Sequence, residues 1–204
     1  DKLIINIDKK AQSVEDLVKT GRTHLMDAMP IDFSQELSGW SSQLKNSKET
    51  FIFLEKRLLE MPMGGTAIGT GVNAHPRFAK EFAKQLSKLS GGSCKTVPSK
   101  NFFHELSSQD TAVQVSGELK NLAIILMKIS NDLRWMNSGP LSGLSEIELK
   151  AIQPGSSIMP GKVNPVIPEA VTMVAADVIG NDTTISVAAQ SGNFQLNVML
   201  PVIA

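Results

Sequence analysis

The stretch from Val115 to Met136, VSGELKNLAIILMKISNDLRWM, decides the fold of this chain. Its apolar side chains recur at alternating steps of four and three residues, at positions 115, 119, 122, 126, 129, 133 and 136. Such spacing keeps them on one face of an α-helix, and a repeat of about 3.5 residues favours packing against long neighbouring helices. Gly139-Pro140 ends the pattern. We therefore predict a long helix that packs in a bundle.

Other segments on both sides show similar spacing and predict further helices. They comprise residues 1–19, a helix from an Asp32/Gln35 capping box to about Glu60, a shorter one at 78–89, and one that follows Pro165 and carries apolar positions from 167 to 188. Strand signals are scarce. The predicted fold class is therefore all-α, a long-helix bundle with residues 1–204 in one domain. Long apolar seams on more than one face leave two possibilities, a single amphipathic bundle or an oligomer whose core contains helices of several subunits.

The composition excludes several classes of protein. Hydrophobic residues make up 42% and charged residues 20% of the 204, as in globular proteins, and 20 basic residues balance 20 acidic ones. No nucleic-acid or membrane partner is therefore expected. Cys94 is the only cysteine, which excludes an intrachain disulfide and a cysteine zinc cluster and suits a reducing compartment such as the cytoplasm or a mitochondrial matrix. A start at Asp1, inside a helical pattern, predicts a fragment.

A second stretch, Gly155-Ser-Ser-Ile-Met-Pro-Gly-Lys-Val-Asn-Pro165, predicts an anion site. Asn164 as N-cap and Pro165 at the first helical position would start a helix, whose free N–H groups and dipole join Lys162 in attracting an anion. A nucleotide P-loop is excluded, because the spacing between the glycines is one residue too long and Val163 stands where a hydroxyl is needed. The stretch alone leaves open a site for a carboxylate or another phosphate, or a polar loop that caps the helix with Lys162 solvated.

The anion stretch lies in a long region without helical spacing, residues 139–164, which holds glycines at 139, 143, 155 and 161. Long loops in compact chains are usually functional or disordered. We predict that this loop is mobile and closes over a ligand.

Residues 155–165 are similar to the signature loop of the fumarase/aspartase superfamily. The resemblance continues through nearly all of the chain, at GRTHL (21–25), GGTAIGTG (64–71), NDLRW (131–135) and GND (180–182). It implies that the 204 residues are the central helical domain of a longer lyase subunit, without the N-terminal and C-terminal domains of the family, and are most similar to the class II fumarases. It further implies a homotetramer around a central helix cluster, a small dicarboxylate substrate, and no cofactor or metal.

The resemblance also implies the residues that carry the chemistry. The family removes a proton beside a carboxylate and then expels a group from the next carbon. Ser156 matches the catalytic serine that acts as general base, and neighbouring N–H groups would have to stabilise its alkoxide. Ser157, Lys162, the backbone at Val163, and Asn164 match substrate-binding positions.

Thr23 and His24 match the substrate-contact and acid/base pair of the family. Glu169 matches the glutamate that orients this histidine through a hydrogen bond. A glutamate in the first turn of a helix is also favoured by the helix dipole, and the two explanations are compatible. In the family, the counterparts of His24 and Ser156 meet from different subunits.

Three functions follow from these patterns. The first is reversible hydration of fumarate to L-malate, favoured by His24, Gly161 and residues 191–194. The alternative is an aspartate ammonia-lyase, favoured by residues 166–168 and 182–184. Met26, Met29 and Leu141 depart from the residues usual in fumarases. The third is a structural helical fragment that is inactive on its own, because further carboxylate-binding segments of the family have no match here.

Overall fold

A computed structural model describes all residues from 1 to 204. The helices are α1 (Lys2–Gln12), α2 (Phe33–Leu58), α3 (Phe78–Leu89), α4 (Phe102–Ser107), α5 (Asp110–Met136), α6 (Val166–Ala189) and α7 (Leu200–Ile203). The strands are β1 (Val18–Thr23), β2 (Met26–Asp32), β3 (Glu60–Met61), β4 (Val97–Pro98), β5 (Gly192–Asn193) and β6 (Leu196–Asn197). The chain forms two compact units, one of residues 1–49 with 121–176 and the other of residues 50–120 with 177–204. None of the helices combines the length and apolar character needed to cross a membrane.

The core of the first unit lies on the predicted apolar faces of α2 and α5. Its buried side chains are Val14, Leu37, Trp40, Leu44, Ile125, Ile129 and Met136. One of the two hydrogen bonds of the predicted capping box forms: the Oε1 atom of Gln35 accepts a hydrogen bond from the backbone N–H of Asp32 at 3.0 Å. The predicted long helices are therefore confirmed.

The expectation of a purely all-α fold is not confirmed. Strands β1 and β2 form an antiparallel hairpin, and two further ladders, β3–β4 and β5–β6, are two residues long on each strand. Helix α1 ends at Gln12 rather than at residue 19. The β-branched residues Val18, Thr20 and Thr23 suit a pleated strand better than a helix. Val14 fits the apolar spacing of a helix, but it is buried from the turn that follows α1.

The hairpin contains a bulge at Gly21. Thr20 pairs with Pro30 and Arg22 with Asp27, so Ala28 and Met29 together oppose Gly21. A Cβ atom on Gly21 would lie 2.6 Å from the carbonyl oxygen of Met29, which explains the glycine. The bulge shifts the register between the base of the hairpin and its tip.

In the second unit a partly buried ion pair joins α5 to α6, in which Asp182 is buried and Lys120 is partly exposed. The Asp182 carboxylate accepts hydrogen bonds from Lys120 Nζ at 2.5 Å and from Ser116 Oγ at 2.8 Å. The bond from Lys120 holds the pKa of Asp182 below its usual value. The glycine-rich segment 64–71 packs closely on α4, because a Cβ on Gly69 would lie 2.8 Å from the ring of Phe103.

Candidate functional site

The stretch predicted to bind an anion, residues 155–165, is a closed loop whose two arms touch. The Asn164 side-chain amide donates a hydrogen bond to the Gly155 carbonyl at 2.9 Å, and the Lys162 N–H donates to the Met159 carbonyl at 3.2 Å. A Cβ on Gly155 would lie 2.0 Å from the Lys162 carbonyl oxygen, so only glycine fits there. Gly161 adopts a φ of +83°, which glycine tolerates at no steric cost.

Ser156 lies inside this loop with its hydroxyl oxygen facing two backbone donors. The N–H groups of Ile158 and Met159 both donate to Ser156 Oγ, each at 3.2 Å. These are the donors that a serine alkoxide would require. The same turn also occurs where a serine merely bonds to its own loop, so the geometry permits the predicted role without requiring it. Ser157, the other predicted hydroxyl, is exposed.

Helix α6 begins at Val166, one residue later than predicted. The Glu169 N–H donates to the Pro165 carbonyl at 3.1 Å, which places Pro165 rather than Asn164 at the cap position. The amide of Asn164 instead holds the loop to the start of the helix. Glu169 lies in the first turn, where the helix dipole stabilises its charge.

Four of the predicted residues line one cavity of about 430 Å³ in the first unit: Lys162, Val163, Asn164 and Glu169. The end of α5 and the residues after it supply the rest of the wall, including Asn131, Arg134 and Asn137. The cavity is within the size range of small-molecule sites. Asn131 and Arg134 belong to the NDLRW motif, which is part of the resemblance to the superfamily. The motif alone did not predict that these two residues line a cavity.

His24 lies elsewhere, at the tip of the hairpin. His24 and Leu25 have φ angles of +55° and +62° and form the two-residue turn between β1 and β2. Turns of this type prefer Asn-Gly, and a bulky leucine with positive φ is costly. Such strain is found where position matters for function. Thr23, the last residue of β1, is exposed like His24.

The tip faces a second cavity of the first unit, of about 800 Å³, which His24 lines. Trp135 borders both cavities. His24 and Glu169 make no hydrogen bond within this chain, and Ser156 and Ser157 line neither cavity. The chain by itself therefore assembles the Lys162, Asn164 and Glu169 part of the predicted site and leaves His24 apart from it.

Glu146 anchors the hairpin to the first part of the long loop. Its carboxylate accepts a hydrogen bond from Arg22 and lies 3.2 Å from Lys19 Nζ, and Lys19 also pairs with Glu36. Burial alone would raise the pKa of Glu146, but the bonds from Arg22 and Lys19 outweigh it and lower the pKa. The hydrogen bond between Arg22 and Glu146 also raises the pKa of Arg22.

Backbone hydrogen bonds also fix this first part of the loop. The N–H groups of Glu146 and Ile147 donate to the Met136 carbonyl at 2.8 and 3.2 Å, and the Leu149 N–H donates to Asn137 Oδ1 at 2.8 Å. In contrast, Ile152, Ile158 and Met159 are 61%, 85% and 53% exposed. The loop is therefore anchored before residue 150 and largely free of the core after it. No group of three or more His, Cys, Asp or Glu side chains converges to hold a metal ion.

The Glu146→Gln variant should unfold more easily than the wild type at neutral pH, by about 2 kcal/mol, because Arg22 and Lys19 lose a largely buried carboxylate partner. A lowered pKa stabilises the folded state above the usual value of 4.5, and the stabilisation is lost as the pH falls through the folded-state pKa. Denaturant unfolding of both proteins between neutral pH and pH values below 4.5 measures this. A difference that does not shrink on acidification would contradict the assignment.

Known proteins of similar sequence identify the family of this chain. A lyase family matches residues 1–180 of the chain. A class II fumarate hydratase of Pseudomonas aeruginosa is 61% identical over 198 residues, which cover 97% of this chain and 43% of that protein. The class II fumarate hydratase of Bacillus subtilis is 49% identical over 203 residues and 44% of its length. The chain thus spans less than half the length of these relatives.

Solved structures show the same fold. A class II fumarase from Schistosoma mansoni superposes with a TM-score of 0.94 at 38% identity, over 98% of this chain and 45% of that one. A fumarate lyase:delta crystallin from Brucella melitensis, bound to cobalt, superposes with a TM-score of 0.92 at 43% identity, over 98% of this chain and 43% of that one. On its family match, its fold and its signature loop, the chain belongs to the fumarase/aspartase superfamily of lyases and is similar to its class II fumarate hydratases.

Proposed function

We propose that the native protein is a fumarate hydratase that interconverts fumarate and L-malate by general acid/base catalysis, without a cofactor. The observation that carries the proposal is the cavity in which Lys162, Asn164 and Glu169 meet at the start of α6. A cation, an amide and a helix N-terminus are suitable donors for a carboxylate. The relatives that match nearly all of this chain bear the name fumarate hydratase.

In the direction of dehydration, Ser156 takes a proton from the malate carbon beside one carboxylate. The electron pair of that C–H bond moves into the carboxylate, and Lys162 and Asn164 stabilise the charge that builds there. The two N–H groups at Ser156 Oγ stabilise the alkoxide that must act as base. The hydroxyl of the neighbouring carbon then leaves as water with a proton from His24, and the electron pair forms the double bond. Ser157, the Val163 backbone and Thr23 contact the substrate.

The separation of His24 from Glu169 favours a site shared between subunits, and we propose a homotetramer. Helix α6 presents apolar side chains to the outside of this chain: Ile167, Met173, Val174 and Val187 are 55%, 71%, 63% and 56% exposed. Exposed apolar surface of this kind marks an interface between protein chains. In the tetramer, His24 of one subunit approaches Ser156 and Glu169 of another.

The single cysteine suits the reducing environment of the cytoplasm. The proposed reaction is a step of the tricarboxylic acid cycle.

The test of the reaction is a substrate comparison with the native protein. Fumarate absorbance should rise when L-malate is supplied, and no comparable release of ammonia should occur with L-aspartate. Since the two substrates differ only in the leaving group, they share every carboxylate contact. Equal or faster turnover of aspartate would replace the proposal by an aspartate ammonia-lyase.

Shared sites predict complementation between two inactive variants. His24→Asn and Ser156→Ala proteins should each be nearly inactive, whereas hybrids formed by subunit exchange should recover part of the wild-type rate, because some sites then carry both native residues. Mass spectrometry of the mixed tetramers confirms subunit exchange. The control is a mixture of the two variants held under conditions in which subunits do not exchange. Fully exchanged hybrids without activity would place His24 and Ser156 in one chain.

The two parts of the long loop should differ in hydrogen exchange. The N–H groups of residues 144–147 and of Leu149 donate hydrogen bonds to carbonyl groups or side chains and should be protected with or without ligand. Residues 150–163 should exchange rapidly in the free native protein and slowly with a dicarboxylate inhibitor, because closure excludes water. Strong protection of 155–163 in the free protein would show that no closing step exists.

A further inference from the structure

We infer that Arg134 binds the second carboxylate of the substrate and selects dicarboxylates over monocarboxylates. This inference rests on the proposed function, and it assigns a residue at the end of α5 that the signature loop does not include. Arg134 lines the cavity that Lys162, Asn164 and Glu169 share.

The guanidinium of Arg134 is held in place by a neutral neighbour. One terminal nitrogen donates a hydrogen bond to Asn131 Oδ1 at 3.0 Å, one turn earlier on α5, and Asn131 borders the same cavity. An amide oxygen orients the guanidinium without neutralising it. Because a guanidinium has five N–H donors, most of them remain available to a ligand.

Two cations of this cavity lack a carboxylate partner. Neither Arg134 nor Lys162 takes part in any of the ion pairs of the structure, although the chain forms such pairs at Lys19, Arg22 and Lys120, among other residues. Glu169 is the single carboxylate that lines the cavity. A dicarboxylate brings two negative charges, one for each free cation, whereas a monocarboxylate would leave one cation unmatched.

A simpler role for Arg134 is to interact with the dipole at the C-terminus of α5, in whose last turn it lies. That role explains a positive charge at this position. It does not explain the orientation by Asn131 on the wall of a cavity that already holds Lys162. Interaction with the helix dipole would also be served by lysine. Binding of a carboxylate through two parallel hydrogen bonds requires the planar guanidinium of arginine.

The experiment compares inhibition of the native protein by succinate, a dicarboxylate, and by propanoate, which lacks the second carboxylate. Arg134→Gln should raise the competitive inhibition constant of succinate and the KM of fumarate by roughly 10- to 100-fold, the usual cost of losing hydrogen bonds to a charged group. The inhibition constant of propanoate should stay unchanged. Lys150→Gln removes an exposed cation of the same loop that does not line the cavity, and it should leave both constants unchanged.

The ratio of the two inhibition constants does not depend on how much of a variant is folded, which protects the test against partial unfolding. If Arg134→Gln does not fold, Arg134→Lys decides: it keeps the charge but loses the two parallel bonds, and the ratio should still rise several-fold. An unchanged ratio in the variant that folds, with wild-type protein that hydrates fumarate, overturns the role of Arg134 alone. Wild-type protein that does not hydrate fumarate overturns the proposed function instead.

Discussion

Replacement of Ser156 by alanine in the native protein should lower kcat by about 10²- to 10⁴-fold, the usual contribution of a general base. The expected loss follows from the position of Ser156 Oγ, which accepts N–H bonds from Ile158 and Met159 at 3.2 Å each. Alanine nearly keeps the size of the loop residue and removes the oxygen that we propose takes the proton. KM should change little, because Lys162 and Asn164, the proposed carboxylate donors, remain in place. Steady-state kinetics with L-malate measure both constants.

Ser142→Ala is the matched control for this variant, since Ser142 is an exposed serine of the same loop and lines neither cavity. It should retain wild-type kinetics. A solvent-exchange experiment adds a second measurement, in which Ser156→Ala protein should fail to exchange the malate C–H proton with deuterated water. Substantial kcat in Ser156→Ala would assign the base to another residue and leave Ser156 as a turn-forming serine.

Replacement of Gly155 by alanine should reduce kcat/KM by about 100-fold or more, although no catalytic atom is removed. The added Cβ would lie 2.0 Å from the Lys162 carbonyl oxygen, so the two arms of the loop must separate. Separation also breaks the bond from the Asn164 amide to the Gly155 carbonyl and displaces Lys162. The melting temperature should change little, because no residue of 155–164 belongs to the buried core.

Gly161→Ala shows whether contact between the two arms of the loop, or the backbone flexibility of glycine, accounts for the effect of Gly155→Ala. No atom lies within 4 Å of a Cβ at Gly161, so alanine there meets only the cost of a positive φ, about 1–2 kcal/mol. Its effect on kcat/KM should be clearly smaller than that of Gly155→Ala. Equal effects in the two variants would mean that loop flexibility, rather than contact between the arms, governs the site.

The long helices and the anion loop could be predicted from the sequence because both depend on neighbouring residues. Apolar spacing at steps of three and four placed α2, α5 and α6, and Asp32 with Gln35 marked the start of α2. Glycine and proline marked residues 139–164 as irregular. The resemblance of residues 155–165 then identified the superfamily, and the family match to residues 1–180 confirmed it.

The β1–β2 hairpin could not be predicted in the same way. Its turn, His24-Leu25, lacks the Asn-Gly sequence that is typical of tight hairpins. Pro30 argues against a strand because proline has no N–H group to donate to a neighbouring strand. Distant residues stabilise it instead. Glu146, 124 residues after Arg22 in the chain, holds the hairpin through Arg22 and Lys19. Ion pairs between residues so far apart leave no periodic trace in a sequence.

The sequence by itself determined the helical seams, the irregular loop at residues 139–164 and the superfamily, since local spacing and a contiguous motif suffice for each. Only the tertiary structure decided which predicted residues share a cavity. Lys162, Asn164 and Glu169 meet because the loop closes on the start of α6, and Arg134 joins them because the end of α5 forms the opposite part of the lining. His24 stays apart because the strained hairpin tip points it to a second cavity. Proximity in space arises from packing, which no local pattern encodes.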